Sequence, residues 1–530
     1  MTAVGPLDAM FLLGETREQP MHVGGLMLFE VPEGARDQVF PEGTRDYVAR
    51  LYQEIVESQT VNPLFARRVR NRALDLGYWS WDQDRDIDLE YHVRLSGLAR
   101  PGRYRELFEL TSRLHGTLLD RRRPLWEMHL IEGIQNRHFA IYTKIHHSLL
   151  DGVTALNWLQ NTLTPNPTQT NMPAPYALPN GGSWYGGGRA GDDGWVGEGE
   201  AGGSRRGPAG SWVDGPGAWP RSNREEPAAG QRGTAGAGLG LPTVGELLAA
   251  VGRVPGEAGR AVGGVGRLLG EVAGLSPVGL RGVVRSLQQE HSSVAFQAPR
   301  SVFNQPITGA RRFAAQSWPM ERLEKVRAIT GATLNDVMLA MCSGALRNYL
   351  QELNDLPDKG LTAMVPVSLR GADGKGAGGG NSLATLIADL ATDEPDPEAR
   401  IRRIVASTTY GKSVLSQLSP LQNLMIGALG LGSAGPAAMI PALAGRTPPP
   451  YNLVISNVPG PSESPLYWNR SRLLGMYPAS IVLNGQALNI SVTSYDHQLH
   501  FGLVGCRRTV PHLQRLLTHL ETSLTELERL

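Results

Sequence analysis

Between His138 and His146 the chain is almost continuously apolar, aromatic or β-branched (Phe139, Ala140, Ile141, Tyr142, Thr143, Ile145), the composition of a strand. A side-chain period of two puts Phe139, Ile141, Thr143, Ile145 and His147 on one face, with Tyr142, Lys144 and His146 on the other. After Gly152 the period changes, and Val153, Leu156, Leu159 and Leu163 recur at helical spacing. The same reading predicts strands over 24–30 and 126–132, the second joined to 138–146 by turn residues at 133–137. It predicts helices over 44–58, with Val48, Leu51, Tyr52 and Ile55 on one stripe, and over 104–119, with Leu107, Leu110, Leu114 and Leu118 aligned. Farther along, Glu321, Lys325 and Ile329 mark a helix, and Thr333-Leu334-Asn335-Asp336 opens another over 337–350. Strands over 361–367, 451–456, 487–494 and 499–504 precede a terminal helix over 511–530. Helix and strand in both parts fit α/β layers better than a helical bundle.

The middle of the chain is different in kind. From 164 to 241 Gly, Pro, Ser and Trp dominate, and such a segment buries too little apolar surface to offset the entropy of ordering it. The expectation is a disordered linker over 166–241, then a glycine-containing amphipathic helical connector over 242–300. These separate an N-terminal half, 1–165, from a C-terminal half, 301–530. A chain of 530 residues exceeds one ordinary core, so two halves are the natural expectation.

Charge and cysteine content narrow the class. The formal net charge is +1, which offers no electrostatic case for nucleic acid. Cys342 and Cys506 form no recognisable pair motif, so no disulfide scaffold is expected and a reducing, cytoplasmic interior is. The N-terminus lacks the pattern of a secretory signal. Residues 413–445 carry no charged side chain, yet Pro436, Pro441 and repeated glycines break a single span, which favours packed or interface-lying helices. The glycines at 371–380 lack the Lys-Ser/Thr pair of a phosphate loop.

Three chemistries compete for His146, His147, Asp151 and Gly152. His147 could be a core histidine beside an Asp that caps the next helix. The pair could belong to a metal site, although adjacent strand histidines diverge and further ligands are missing. Or His147 could be a general base, since apolar neighbours would keep its imidazole neutral and proton-accepting.

Several separated segments bear on the choice: GPLDAMF at 5–11, PMHVG at 20–24, Pro124-Leu125-Trp126-Glu127, HHSLLDG at 146–152, Asn335-Asp336-Val337, VPVSLR at 365–370 and NLVISNVPGP at 452–461. In this order they resemble the bacterial wax ester synthase/acyl-CoA:diacylglycerol acyltransferase family, within the HHxxxDG acyltransferases. The likeness covers nearly the whole chain apart from the central insertion. It implies two chloramphenicol-acetyltransferase-like α/β halves meeting at an active-site tunnel. It also implies direct transfer from a long-chain acyl-CoA, a co-substrate, to diacylglycerol or a fatty alcohol, with no cofactor or metal.

By the same resemblance His147 is the base and His146 supports it. Asp151 pairs with Arg370 from the other half, and Gly152 allows a backbone angle or close approach that a Cβ would block. Asn335, Asp336 and Asn457 shape the site, while Pro124, Leu125 and Trp126 line the acceptor side. A water-insoluble acceptor suits peripheral contact with a membrane or lipid body. Two rivals stay open: a related enzyme with another alcohol or an amine as acceptor, and a non-catalytic lipid-surface protein.

Overall fold

In the computed structural model the structure describes residues 2–35, 47–71, 79–178, 298–368, 383–417 and 449–530. Arg370, the 371–380 glycines, the uncharged 424–443 stretch and 179–297 lie outside them. In chain order the elements of the first half are β1 (Thr2–Ala3), α1 (Pro6–Gly14), β2 (His22–Glu30), α2 (Tyr47–Glu57), β3 (Arg67–Asn71), β4 (Trp79–Gln83), α3 (Leu89–His92), β5 (Val93–Gly97), α4 (Tyr104–His115), β6 (Trp126–Ile134), β7 (His138–His146) and α5 (Gly152–Gln160). The second half adds β8 (Arg311–Pro319), α6 (Met320–Thr330), α7 (Leu334–Glu352), β9 (Thr362–Ser368), β10 (Leu383–Asp389) and α8 (Pro397–Gln417). It continues with β11 (Leu453–Val458), β12 (Tyr467–Trp468), β13 (Ser471–Ala479), β14 (Leu488–Tyr495), β15 (Gln498–Cys506) and α9 (Arg515–Leu527).

These strands form two six-stranded mixed sheets, ordered β12-β13-β2-β7-β6-β5 and β10-β9-β11-β14-β15-β8, and a small sheet β1-β4-β3. The period-two reading of β7 holds. Phe139, Ile141 and Ile145 enter one core with Leu12, Phe29, Leu156 and Leu159. Ala140 and Tyr142 enter the other with Leu107 and Phe313. A strand covered on both faces reads as a nearly unbroken apolar run, which is what 139–145 shows.

Two expectations about domain limits need correction. The cut near 301 does not divide the sheets. β13 comes from the C-terminal part but lies antiparallel to β2, with Met476 opposite Met27 and Ala479 opposite Gly24. Ser471–Ala479 contains both a glycine and a proline and has no clean alternation, so its sequence does not advertise a strand. Nor does the linker begin at 166. Met172, Ala174, Tyr176 and Leu178 are buried, Asn62 Nδ2 donates to the Leu178 carbonyl, and Trp158 Nε1 donates to that of Pro175. Composition hid a short run whose few large side chains find a core.

Candidate active site

The strand end carrying the two histidines is fixed from both sides by backbone. The His146 N–H donates to the Leu125 carbonyl at 3.0 Å and the His147 N–H to that of Met21 at 2.9 Å. His146 is fully buried. Its Nδ1 accepts from the Ser148 N–H at 3.1 Å, which leaves the ring proton on Nε2, 3.5 Å from Glu15. His147, one residue later, is half-buried.

The His147 ring lies against Phe11, centroids 4.0 Å apart and planes inclined by 20°. Part of the residue reaches solvent, but the ring is packed in protein. That burial pushes its pKa down to about 4, against the opposing pull of Asp151 and of a hydrogen bond to its own backbone. The neutral ring keeps one lone-pair nitrogen able to accept a proton.

α1 supplies most of the surroundings. Phe11 and Leu12 lie three and four residues beyond Asp8, on one side of the helix, and Glu15 is its C-cap. Burial and the nearby Asp151 carboxylate raise the pKa of Asp8. Glu15 accepts from the Met21 N–H at 3.1 Å and from Arg121 at 3.0 Å. Burial alone would raise the Glu15 pKa, but His146, Met21 and Arg121 outweigh it and hold the carboxyl below its usual range. Beneath the site, buried Lys144 meets Glu127 at 3.0 Å and donates to the carbonyls of Leu114 and Thr117. Glu127 is driven down to about 2: burial opposes the shift, and His129, Lys144 and Arg94 overcome it.

Asp151 is the N-cap of α5, accepting from the Thr154 N–H at 2.9 Å and the Thr154 hydroxyl at 2.7 Å. The expected partner Arg370 lies outside the described residues. For Gly152 the described residues show no demand for a special backbone angle or close approach. Its φ is not positive, and among the described residues a Cβ there would meet only Val23 Cγ1, at 3.9 Å. Gly460, beyond Asn457, does require close approach, since its Cβ would collide with the Ser494 carbonyl.

The Pro124, Leu125 and Trp126 segment is also corrected. All three are buried. Trp126 stacks on Tyr176 at 4.7 Å and on His92 at 4.5 Å, and its Nε1 donates to the Phe65 carbonyl at 2.7 Å. This is a packed aromatic core that sets the register of β6 beside His146, with no face left for an acceptor. Asp336 is 2 % exposed and closes a capping box with Thr333 at the start of α7. Its other oxygen accepts from Thr408 at 2.7 Å. Asn335 is half-buried next to it. Neither touches 146–151 in any described contact. Asn457 is half-buried near the end of β11, opposite Val492, two residues before the Pro459 carbonyl that Gln160 of α5 reaches at 3.4 Å. For the metal reading, no group of three His, Cys, Asp or Glu side chains able to hold an ion occurs among the described residues.

Phe11, Glu15 and Arg121 gather around the histidines without having been singled out by sequence reasoning. The signal available was the i, i+4 spacing of Phe11 and Glu15 behind Pro6, a residue suited to a helix start.

Two six-stranded sheets flanked by helices, with a neutral histidine at a strand end, define an α/β scaffold compatible with acid–base transfer chemistry, and comparison with known proteins gives it a family. Residues 4–194 and 220–338 match the wax ester synthase/diacylglycerol acyltransferase catalytic domain, and residues 379–528 the WS/DGAT C-terminal domain. A Mycobacterium tuberculosis protein named as a probable diacylglycerol O-acyltransferase is 42 % identical over 529 residues, covering 100 % of this chain and 99 % of its own. The O-acyltransferase WSD of Acinetobacter baylyi is 36 % identical, covering 99 % and 96 %. The solved wax ester synthase/diacylglycerol acyltransferase of Marinobacter aquaeolei VT8 superimposes with a TM-score of 0.70 at 35 % identity, covering 100 % and 99 %. The chain belongs to the wax ester synthase/diacylglycerol acyltransferase family.

Proposed function

We propose that this protein is an O-acyltransferase that moves a long-chain acyl group from acyl-CoA to the free hydroxyl of diacylglycerol. Triacylglycerol and CoA are the products, and long-chain alcohols are second acceptors giving wax esters. The observation that carries the reading is the His147 ring, neutral, half-buried at the strand end and stacked on Phe11, in a member of this family.

An alcohol is a poor nucleophile at neutral pH, and a base within reach removes that obstacle. The lone-pair nitrogen of His147 takes the acceptor hydroxyl proton as the oxygen bonds to the thioester carbonyl carbon. The low basicity of the ring means that the proton transfers as the new C–O bond forms rather than before it. When the C–S bond breaks, the proton passes to the departing thiolate, whose ordinary pKa near 8.5 makes that step downhill. His146 stays with Glu15 and Ser148 and holds the strand end. No metal or cofactor takes part in this reading.

The product and one acceptor are insoluble in water, which supports a cytoplasmic enzyme lying on a membrane or lipid-body surface. Among the described residues no single helix is long and apolar enough to cross a membrane. The experiment is an acceptor panel: purified protein with palmitoyl-CoA and diolein, hexadecanol or a long-chain amine, products resolved by chromatography. Esters with diolein and hexadecanol are expected. An amide with neither ester would overturn the reading.

A further inference from the structure

The stacked contact between Phe11 and His147 transfers no proton itself. We propose that Phe11 is a positioning residue for the transfer, holding the His147 ring so that its free nitrogen faces the acceptor hydroxyl. This rests on His147 being the base.

The strand ends at His146, and among the described residues only one further backbone bond, from the His147 N–H, holds the residue that bears the reactive ring. Its backbone is tied to Met21, a constraint that acts at the root of the side chain. The ring is restrained by the face of Phe11, its centroid 4.0 Å away and its plane nearly parallel.

Phe11 can restrain another ring because its own helix is anchored elsewhere. At the C-cap of α1, Glu15 binds Arg121 and the Met21 N–H. Arg121 also donates to the Leu12 carbonyl at 2.6 Å. Gln19 donates to the Gly14 carbonyl at 3.0 Å and accepts from the Asn484 N–H at 2.8 Å, which ties the end of α1 to the second half. Helix and strand end are thus clamped at Met21 and Glu15, and the stack closes the triangle at the ring. An aliphatic side chain could fill the same volume but could not lie flat against an imidazole. The aromatic face also excludes water from one side of the ring and, being electron-rich, tolerates the imidazolium that forms in passing.

The test compares Phe11→Ala, Phe11→Leu and Phe11→Tyr with the unaltered protein, using palmitoyl-CoA and diolein across pH. For Phe11→Ala the expected result is a fall in kcat of about 10- to 100-fold, the scale of a misplaced catalytic group, with a much smaller change in KM for palmitoyl-CoA. Water reaching the ring should also move the acidic limb of kcat/KM up from near 4 towards the ordinary histidine value of about 6.5. Phe11→Leu should resemble Phe11→Ala, and Phe11→Tyr should restore most of the rate and the original limb. A purely structural role predicts an unmoved limb and a loss accounted for by the folded fraction from circular dichroism, and that outcome overturns the proposal, as does unchanged kcat. His147→Ala run alongside separates the two levels. If it is inactive while Phe11→Ala behaves as the unaltered protein, only the positioning role fails. If His147→Ala is itself fully active, the base assignment fails.

Discussion

Around the histidines, small backbone facts decide which side chains are interchangeable. Gly152 opens α5 without a positive φ, and among the described residues a Cβ there would make only an ordinary contact with Val23, so Gly152→Ala should leave the fold intact. Alanine is the better helix former, by up to about 1 kcal/mol inside a helix and less at its first turn. The melting temperature is expected to stay level or rise slightly, and a marked fall would show that the turn at 151–152 is tighter than described. Should the variant be stable yet slow, the glycine is there to leave room for substrate. His147 was readable as a candidate base because its apolar neighbours in sequence are also its neighbours in space. Trp126 was misread because the sequence cannot show that Tyr176, fifty residues on, and His92 enclose its ring. A tryptophan beside a motif looks the same whether it lines a channel or fills a core.

Among the elements, α7 shows how a motif can act through stability. Thr333 and Asp336 satisfy each other's backbone N–H groups at the helix start, and Asp336 also binds Thr408 on α8. Asp336→Ala removes the box and the tie between helices, and should lower stability by about 1–3 kcal/mol. Denaturant titration would read this, with any loss of activity following the folded fraction. The sequence made this helix legible because cap and period agree. It left β13 illegible because a strand interrupted by Gly475 and Pro478 carries no clean alternation, and only its partners Leu26 and Met27 reveal the pairing. α1 fell between the two: Pro6 and the spacing of Phe11 and Glu15 were visible, but what that side faces was not.

Taken whole, the molecule is two sheets sharing a core, with β13 crossing from the second half into the first and Arg311 of β8 donating to the Glu18 carbonyl at 2.8 Å. Several histidines are buried neutral in that body. Burial depresses His115 to about 3 and His147 and His500 to about 4, all below the unfolded value near 6.5. The sign follows from proton counts. Below pH 6.5 the unfolded chain binds protons that the folded one refuses, so stability falls as pH drops from 6.5 towards 4 and is fully present above that window. Lowered Glu15 and Glu127 add a further loss at still lower pH, where their folded-state ion pairs must protonate. Urea midpoints should therefore hold between pH 7 and 8 and drop steadily from 6.5 to 4. A flat profile would mean these rings are already protonated or solvated in the folded state.

The chemistry itself comes down to one nitrogen. Release of CoA from palmitoyl-CoA in the presence of diolein, followed with a thiol reagent, compares the unaltered enzyme with His147→Ala at equal folded concentration. The account predicts a fall in kcat of roughly 10²–10⁴-fold, the scale of positioned acid–base help, with near-normal binding of the thioester. Turnover within a few-fold of the unaltered enzyme would contradict it.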